Sequence, residues 1–316
     1  MAITTKPHVA TADLKRSFDQ LEKALDKSTK ADGSVDVKKL ETALKTADAG
    51  AQLGLAAIAD AFTRERTYTT GGGCGSSSST RTVQEQPTTL TKTEAKSVLK
   101  ALLEARARAE AFDTEKADGA KGKDGKLSSD ELARASLGAG SGLAGELAAS
   151  ALTGAENDAT SGLALGQKLA AGLDRAASAL TASQGRDGSV SMEGLALAFS
   201  RLPEGTDGDA LLKSISEAFE RARVVHSGGG CGGGSSTTVY DAPTKLTKTE
   251  AKEVAAAFAE ARAVLDDAGT VKASGLKALI ADARDRGDLA GALFDAIARP
   301  FVPASPPPPS SGGGGC

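Results

Sequence analysis

Apolar residues recur along this chain at helical spacing. Leu14, Phe18, Leu21 and Leu25 fall three and four apart, and Leu169, Leu173, Ala176 and Leu180 repeat the stripe further on. One apolar stripe with polar residues between marks an amphipathic helix, because a half-buried strand alternates every second residue instead. Each stripe leads to a glycine-containing loop, one β-branched residue or leucine, and a second helical segment. The four loops are Asp32-Gly33-Ser34-Val35, Asp124-Gly125-Lys126-Leu127, Asp187-Gly188-Ser189-Val190 and Gly269-Thr270-Val271. Ser128 with Glu131 three residues later predicts a capping box. A third helix is expected to close each unit, around residues 53–66, 142–152, 210–224 and 288–298. The predicted fold class is all-α, in tandem three-helix units.

The units are duplicated. Leu90-Thr-Lys-Thr-Glu-Ala-Lys96 recurs letter for letter from Leu246 to Lys252, 156 residues on, and defines unit A. Seven consecutive identities at a fixed offset are the signature of an internal repeat. Leu143-Ala-Gly145 likewise matches Leu289-Ala-Gly291, with about ten extra residues in the loop of the first copy. Unit B relates Leu14, Phe18, Leu25 and Asp32-Gly33 to Leu169, Leu173, Leu180 and Asp187-Gly188, an offset of 155. The order is B, A, B, A.

Glycine-rich stretches predict the boundaries: a B half-unit at 1–70, a linker with Cys74 at 71–89, a central A–B domain at 90–226, a linker with Cys231 at 227–245, an A half-unit at 246–300, and a Pro/Gly tail at 301–316 ending in Cys316. Ser79-Thr-Arg-Thr-Val83 and Ser236-Thr-Thr-Val-Tyr240 alternate in character, as short β strands or extended linkers do.

Composition narrows the function. Aromatic residues make up only 3% of the 316 residues and tryptophan is absent, so the core must be built mainly from Leu, Ala and Val and a few Phe. A net charge of −3 with 25% charged residues lacks the one-sided basicity that phosphate backbones select, and nucleic acid is not an expected partner. No stretch approaches the roughly 18 apolar residues of a membrane span, so membrane insertion is not expected. Met1 to Asp13 lacks the basic start and apolar run of a secretory signal. The compartment stays open, with an extracellular or cell-surface place favoured if the cysteines are oxidised. There is no P-loop and no glycine fingerprint after a strand. The only imidazoles, His8 and His226, lie in linkers, and an enzyme is not expected.

Helix, Asp-Gly loop, a hydrophobic residue two after the glycine, then helix: this order resembles the EF-hand family, in degenerate form, across all four units. The best match runs through Phe112-Asp113-Thr114-Glu115 and Asp124-Gly125-Lys126-Leu127-Ser128 to Glu131. The resemblance implies calcium ligation by Asp113, Glu115, Asp118, Asp124, Ser128 and Glu131. The loop is about seven residues longer than the family's twelve, and Lys39 and Gly194 stand where its closing glutamate belongs. The residues alone also support a second reading, in which Asp-Gly is turn chemistry, the following hydrophobic pins the loop by a short strand contact, and the pairs form a packing scaffold.

Cys74, Cys231 and Cys316 all sit in Gly/Ser-rich surroundings. An odd number cannot be fully paired within one chain, which points to crosslinks between copies. Free thiols in spacers, or three thiolates on one metal, are the alternatives. The expectation is a structural protein that polymerises head to tail, the C-terminal A of one copy pairing with the N-terminal B of the next and disulfides locking the joints. An EF-hand-like calcium-responsive module is the other reading.

Overall fold

The computed structural model describes residues 8–70, 79–114, 121–140, 142–227, 235–268 and 271–302. Twelve helices among them form two six-helix domains, each with its own apolar core. The first contains β1 (Val9–Ala10), α1 (Thr11–Ser28), β2 (Val35–Asp36), α2 (Val37–Leu44), α3 (Ala49–Ala61), β3 (Arg64–Thr70), β4 (Ser79–Glu85), β5 (Thr89–Leu90), α4 (Lys92–Glu110), β6 (Lys126–Leu127), α5 (Ser129–Gly138) and α6 (Leu143–Ser161). The second contains α7 (Leu165–Ala182), β7 (Val190–Ser191), α8 (Met192–Phe199), α9 (Gly208–Ala218), β8 (Arg221–Ser227), β9 (Ser235–Asp241), β10 (Lys245–Leu246), α10 (Lys248–Ala268), α11 (Ala273–Asp285) and α12 (Leu289–Ala298).

The predicted stripes form the cores. Leu14, Phe18, Leu21 and Leu25 of α1 are buried against α4 and α6 residues such as Val98, Leu102 and Leu147. In the second domain Leu169, Leu173, Ala176 and Leu180 meet Val254, Phe258 and Leu293. The hydrophobic residue after each Asp-Gly loop does pin it: Val35 pairs with Leu90, Val190 with Leu246, and Leu127 with Val9. Gly33, Gly125 and Gly188 have φ of 83°, 76° and 77°, a backbone turn that glycine enters without strain.

The identical heptapeptide now has a physical reason. Leu90 and Leu246 are fully buried in the strand pairs. The residue after each, Thr91 or Thr247, caps the N terminus of α4 or α10 by accepting the amide of Glu94 or Glu250. Those glutamates return the bond to the threonine amides, at 2.7 and 2.6 Å. Leu143-Ala-Gly145 and Leu289-Ala-Gly291 are explained as well. A Cβ on Gly145 would lie 2.2 Å from the Gly140 carbonyl oxygen, and one on Gly291 would lie 2.0 Å from that of Ala283. Only glycine allows the third helix of unit A to start so close to the end of the second.

The pairing of units corrects the domain expectation. Residues 90–226 are not the packed A–B domain, and 1–70 and 246–300 are not orphaned halves. Each B packs with the A that follows it, so both terminal halves find their partner in their own chain. The domain boundary falls at Gly162–Ala164, between α6 and α7, inside the stretch taken for continuous. The glycine-rich stretches lie within domains, joining two strands that pair with one another: β3 with β4, from Arg64↔Glu85 to Thr70↔Ser79, and β8 with β9, from Arg221↔Asp241 to Ser227↔Ser235. The third helices of the B units accordingly end at Ala61 and Ala218, and the arginines beyond them begin strands.

Candidate functional site

Three places carry chemistry that a packing scaffold alone does not need: the long acidic loop, the two β ribbons, and the junction between the domains.

In the acidic loop the carboxylates serve the backbone. Asp113 is buried, and its two oxygens accept the amides of Asp124 at 3.1 Å and Gly125 at 3.0 Å. Glu131, also buried, accepts the Thr114 amide at 2.8 Å on one oxygen and the Ser128 amide and hydroxyl, at 3.0 and 3.1 Å, on the other. Asp124 accepts the amide of Lys126 at 2.9 Å, and Ser128 caps α5 through the predicted box. Glu115 and Asp118 lie outside the described residues. Among the described residues no group of three or more His, Cys, Asp or Glu side chains is arranged to hold a metal. The described residues of the set that the resemblance assigned to calcium, Asp113, Asp124, Ser128 and Glu131, close the loop as a hydrogen-bonded staple. Replacing Glu131 with alanine orphans the Thr114 and Ser128 amides and is expected to cost about 1–3 kcal/mol in urea unfolding. Added calcium is expected to leave the melting temperature of the native protein unchanged, whereas a calcium-dependent rise would mean that the loop reopens around an ion.

The corresponding loops of the B units are also self-contained. Asp32 accepts both the amide and the hydroxyl of Ser34, and Asp187 does the same with Ser189 while pairing with Lys245 at 3.1 Å. The Ser189 hydroxyl, then its amide and the Lys245 ammonium, hold the Asp187 carboxyl well below the usual carboxylate range.

The ribbons have seven residues per strand, and no third strand joins either among the described residues. Most of their described side chains are exposed, including Val224 at 55% and Tyr240 at 65%. An isolated two-stranded ribbon is marginal in water, so each is tied down at its base. Arg64 forks onto both oxygens of Glu94, at 3.0 and 3.1 Å, and Arg221 pairs with Glu250 at 3.5 Å while donating to the Lys245 carbonyl. The same glutamates cap α4 and α10, so one carboxylate fixes both a helix start and the foot of a ribbon. Cys74 and Cys231 belong to the segments joining the strands of each ribbon, and Cys316 ends the chain. All three lie outside the described residues.

The domain junction was not legible in the sequence. Arg175 of α7 is the largest fully buried side chain. Its Nε donates to Glu156 of α6 at 3.1 Å, and its Nη2 donates to the Ser136 hydroxyl of α5 at 2.7 Å and the Leu132 carbonyl at 3.3 Å, while Nη1 has no protein partner. Burial pushes the Glu156 carboxyl above its ordinary value against the pull of Arg175. Arg201, just beyond α8, donates to the carbonyls of Ser136 and Gly140 and pairs with Glu146 at 3.0 Å. Arg201 therefore grips the carbonyl end of α5, where the helix dipole is negative, while Arg175 holds the same helix further back, at Leu132 and the Ser136 hydroxyl. Ser178 bonds Asp130 at 2.6 Å and the Glu204 amide bonds Asn157 at 2.7 Å, and Leu137 of α5 packs against the second core.

No helix of the described residues is long and apolar enough to cross a membrane. Comparison with protein-family models, with curated proteins and with solved structures finds no match for this chain in any of the three.

Proposed function

We propose that this is a structural protein that assembles with further copies of itself, using the two ribbons as arms and the cysteines beside them as covalent locks. The observation that carries this reading is the placement of the thiols. Cys74 and Cys231 sit in the joining segment of a solvent-exposed ribbon at the same point of each domain, and Cys316 follows a proline- and glycine-rich tail. Glycine-flanked cysteines on extended arms meet little steric resistance to disulfide exchange, and the odd count leaves at least one thiol for another copy. Three thiols per chain also allow branching, which two would not. Because each terminal half already has its partner, this assembly runs through arms and tail and not through the pairing of half-domains.

Non-reducing gel electrophoresis of protein incubated with a mild oxidant tests the reading. The native chain is expected to give a ladder of multimers that collapses in dithiothreitol. The Cys74→Ser, Cys231→Ser, Cys316→Ser triple variant is expected to run as a single chain in both conditions. A native protein that stays single under oxidant would remove the proposal.

A further inference from the structure

The junction between the two domains is a complete docking surface, and its connector is built in a way that lets it be used between copies. Between α6 and α7 the chain has only Gly162, Leu163 and Ala164. Gly162 is still helical, at φ −83° and ψ −3°, and Ala164 is extended, at φ −64° and ψ 154°, so the chain leaves the helical path within this turn. Alanine has no side-chain acceptor to cap a helix, and Gln167 supports this start by accepting the Ala164 amide at 3.1 Å. Leucine and alanine are strong helix formers and there is no proline. Rotation at this one turn would run α6 into α7 as a continuous helix of about 40 residues, on the order of 60 Å long, carrying the two domains apart with both cores intact.

The surface uncovered by that opening fits only its own counterpart. It consists of Arg175 and Arg201 on one side and Glu156, Glu146 and the carbonyl end of α5 on the other. Each group was buried or paired, and each loses its partner when the domains part. Elsewhere the described residues offer no substitute. Where α7 presents Ala171, Arg175 and Ser178 to the preceding domain, the matching positions of α1 are Arg16 and Lys23, exposed to solvent, and Gln20, half-buried and accepting the Asp48 amide at 2.9 Å. Where α5 presents the buried Ala133, α11 carries the exposed Lys277. The outer faces of the pair are charged as end units of a repeat array are, so the inner contact is not repeated end on end.

We propose that the partner for this surface is a second copy of the chain. Whole six-helix domains exchange at Gly162–Ala164, and the α5–α7 contact is rebuilt between the first domain of one copy and the second domain of the next. Reciprocal exchange closes a dimer, and non-reciprocal exchange continues as an open chain. A short connector gives the intramolecular contact a high effective concentration, so exchange is favoured by concentrated protein. This rests on the self-assembly reading above but needs no cysteine.

Light scattering on the full-length Cys74→Ser, Cys231→Ser, Cys316→Ser protein tests it, over a wide concentration range after partial denaturation and refolding. In that background Gly162→Ala removes the helix-weakening glycine, and the new methyl meets nothing within 4 Å. It is expected to shift the population at least several-fold toward masses of two chains and more. Insertion of a long Gly/Ser segment after Gly162 is expected to return it to single chains. Adding Arg175→Ala to Gly162→Ala is expected to abolish the multimers while circular dichroism still reports helical domains. Single chains for Gly162→Ala at every concentration, or multimers that survive the insertion, would overturn the exchange. The oxidant ladder of the cysteine-containing insertion variant reads the crosslinking proposal separately, because that chain cannot favour exchange yet retains all three thiols.

Discussion

Gly154→Ala is expected to destabilise the first domain by about 3 kcal/mol or more, the upper end of what overpacking a core costs. At the α3–α6 crossing a Cβ on Gly154 would stand 2.0 Å from the Gly50 nitrogen and 2.2 Å from the Gly50 Cα. Both atoms are backbone, so no rotamer change relieves the clash and the helices must separate by an ångström or more. That separation strips contacts from Leu21, Ile58 and Leu147 together, all of them buried. The contact joins the B and A halves of the domain, so its loss is expected to lower the midpoint of thermal unfolding of the chain. Gly275→Ala, in α11 of the second domain, whose methyl also enters open space, is the matched control. A shift for Gly154→Ala no larger than that of the control would mean that the two helices are not held at this distance.

Arg175→Ala is the second large effect. It leaves the Glu156 carboxylate buried without its cation and removes the donor from Ser136 and Leu132, a loss expected to reach about 3–5 kcal/mol. The damage falls at the junction and outside either core, so the two domains should unfold in separate calorimetric transitions where the native chain unfolds in one. Replacing both members, Arg175→Met with Glu156→Leu, is expected to recover most of the stability, because exchanging a buried pair for apolar side chains is often neutral. A single substitution that costs under about 1 kcal/mol would place the pair in the range of exposed salt bridges and would mean that water reaches it.

The helices, the duplication and the α5 capping box were legible because each is local. Three- and four-residue spacing, Asp-Gly and Ser-x-x-Glu act over one or two turns. Which unit packs with which was not legible, because the choice between B–A and A–B depends on contacts far apart in sequence. Gly71–Gly75 and Gly228–Gly234 look like domain boundaries because a glycine-rich run joins two domains or two strands of one domain equally well. The alternation of Thr82 and Val83, and of Thr238, Val239 and Tyr240, was noted as strand-like, but nothing local says that the strands on the two sides of a cysteine pair with each other. The acidic loop looks like a cation site because carboxylates in a loop serve an ion or backbone amides equally well, and the distances from Asp113 and Glu131 show the amides that these two hold. Arg175 resembled any polar residue on a helix. Its signal lay in a comparison of the copies: Ala171 and Ser178 stand at the repeat positions of Arg16 and Lys23, and loss of charge on one copy's outer face marks the copy that is covered.

The shared carboxylates at the feet of the ribbons also set how these domains bear tension. A pull on the segment joining β3 and β4 draws on both strands together and does not peel one from the other, so the ribbon's ladder is not the first thing to yield. The pull arrives at the end of α3 and the start of α4, where Arg64 is tied to Glu94 and Leu90 is bonded to Val35. It therefore enters the domain at the seam between its B and A halves, and the same holds for Arg221, Glu250 and the Leu246–Val190 pair in the second domain. A chain tethered by its arms would strain the α3–α6 and α9–α12 crossings before either terminus felt the force.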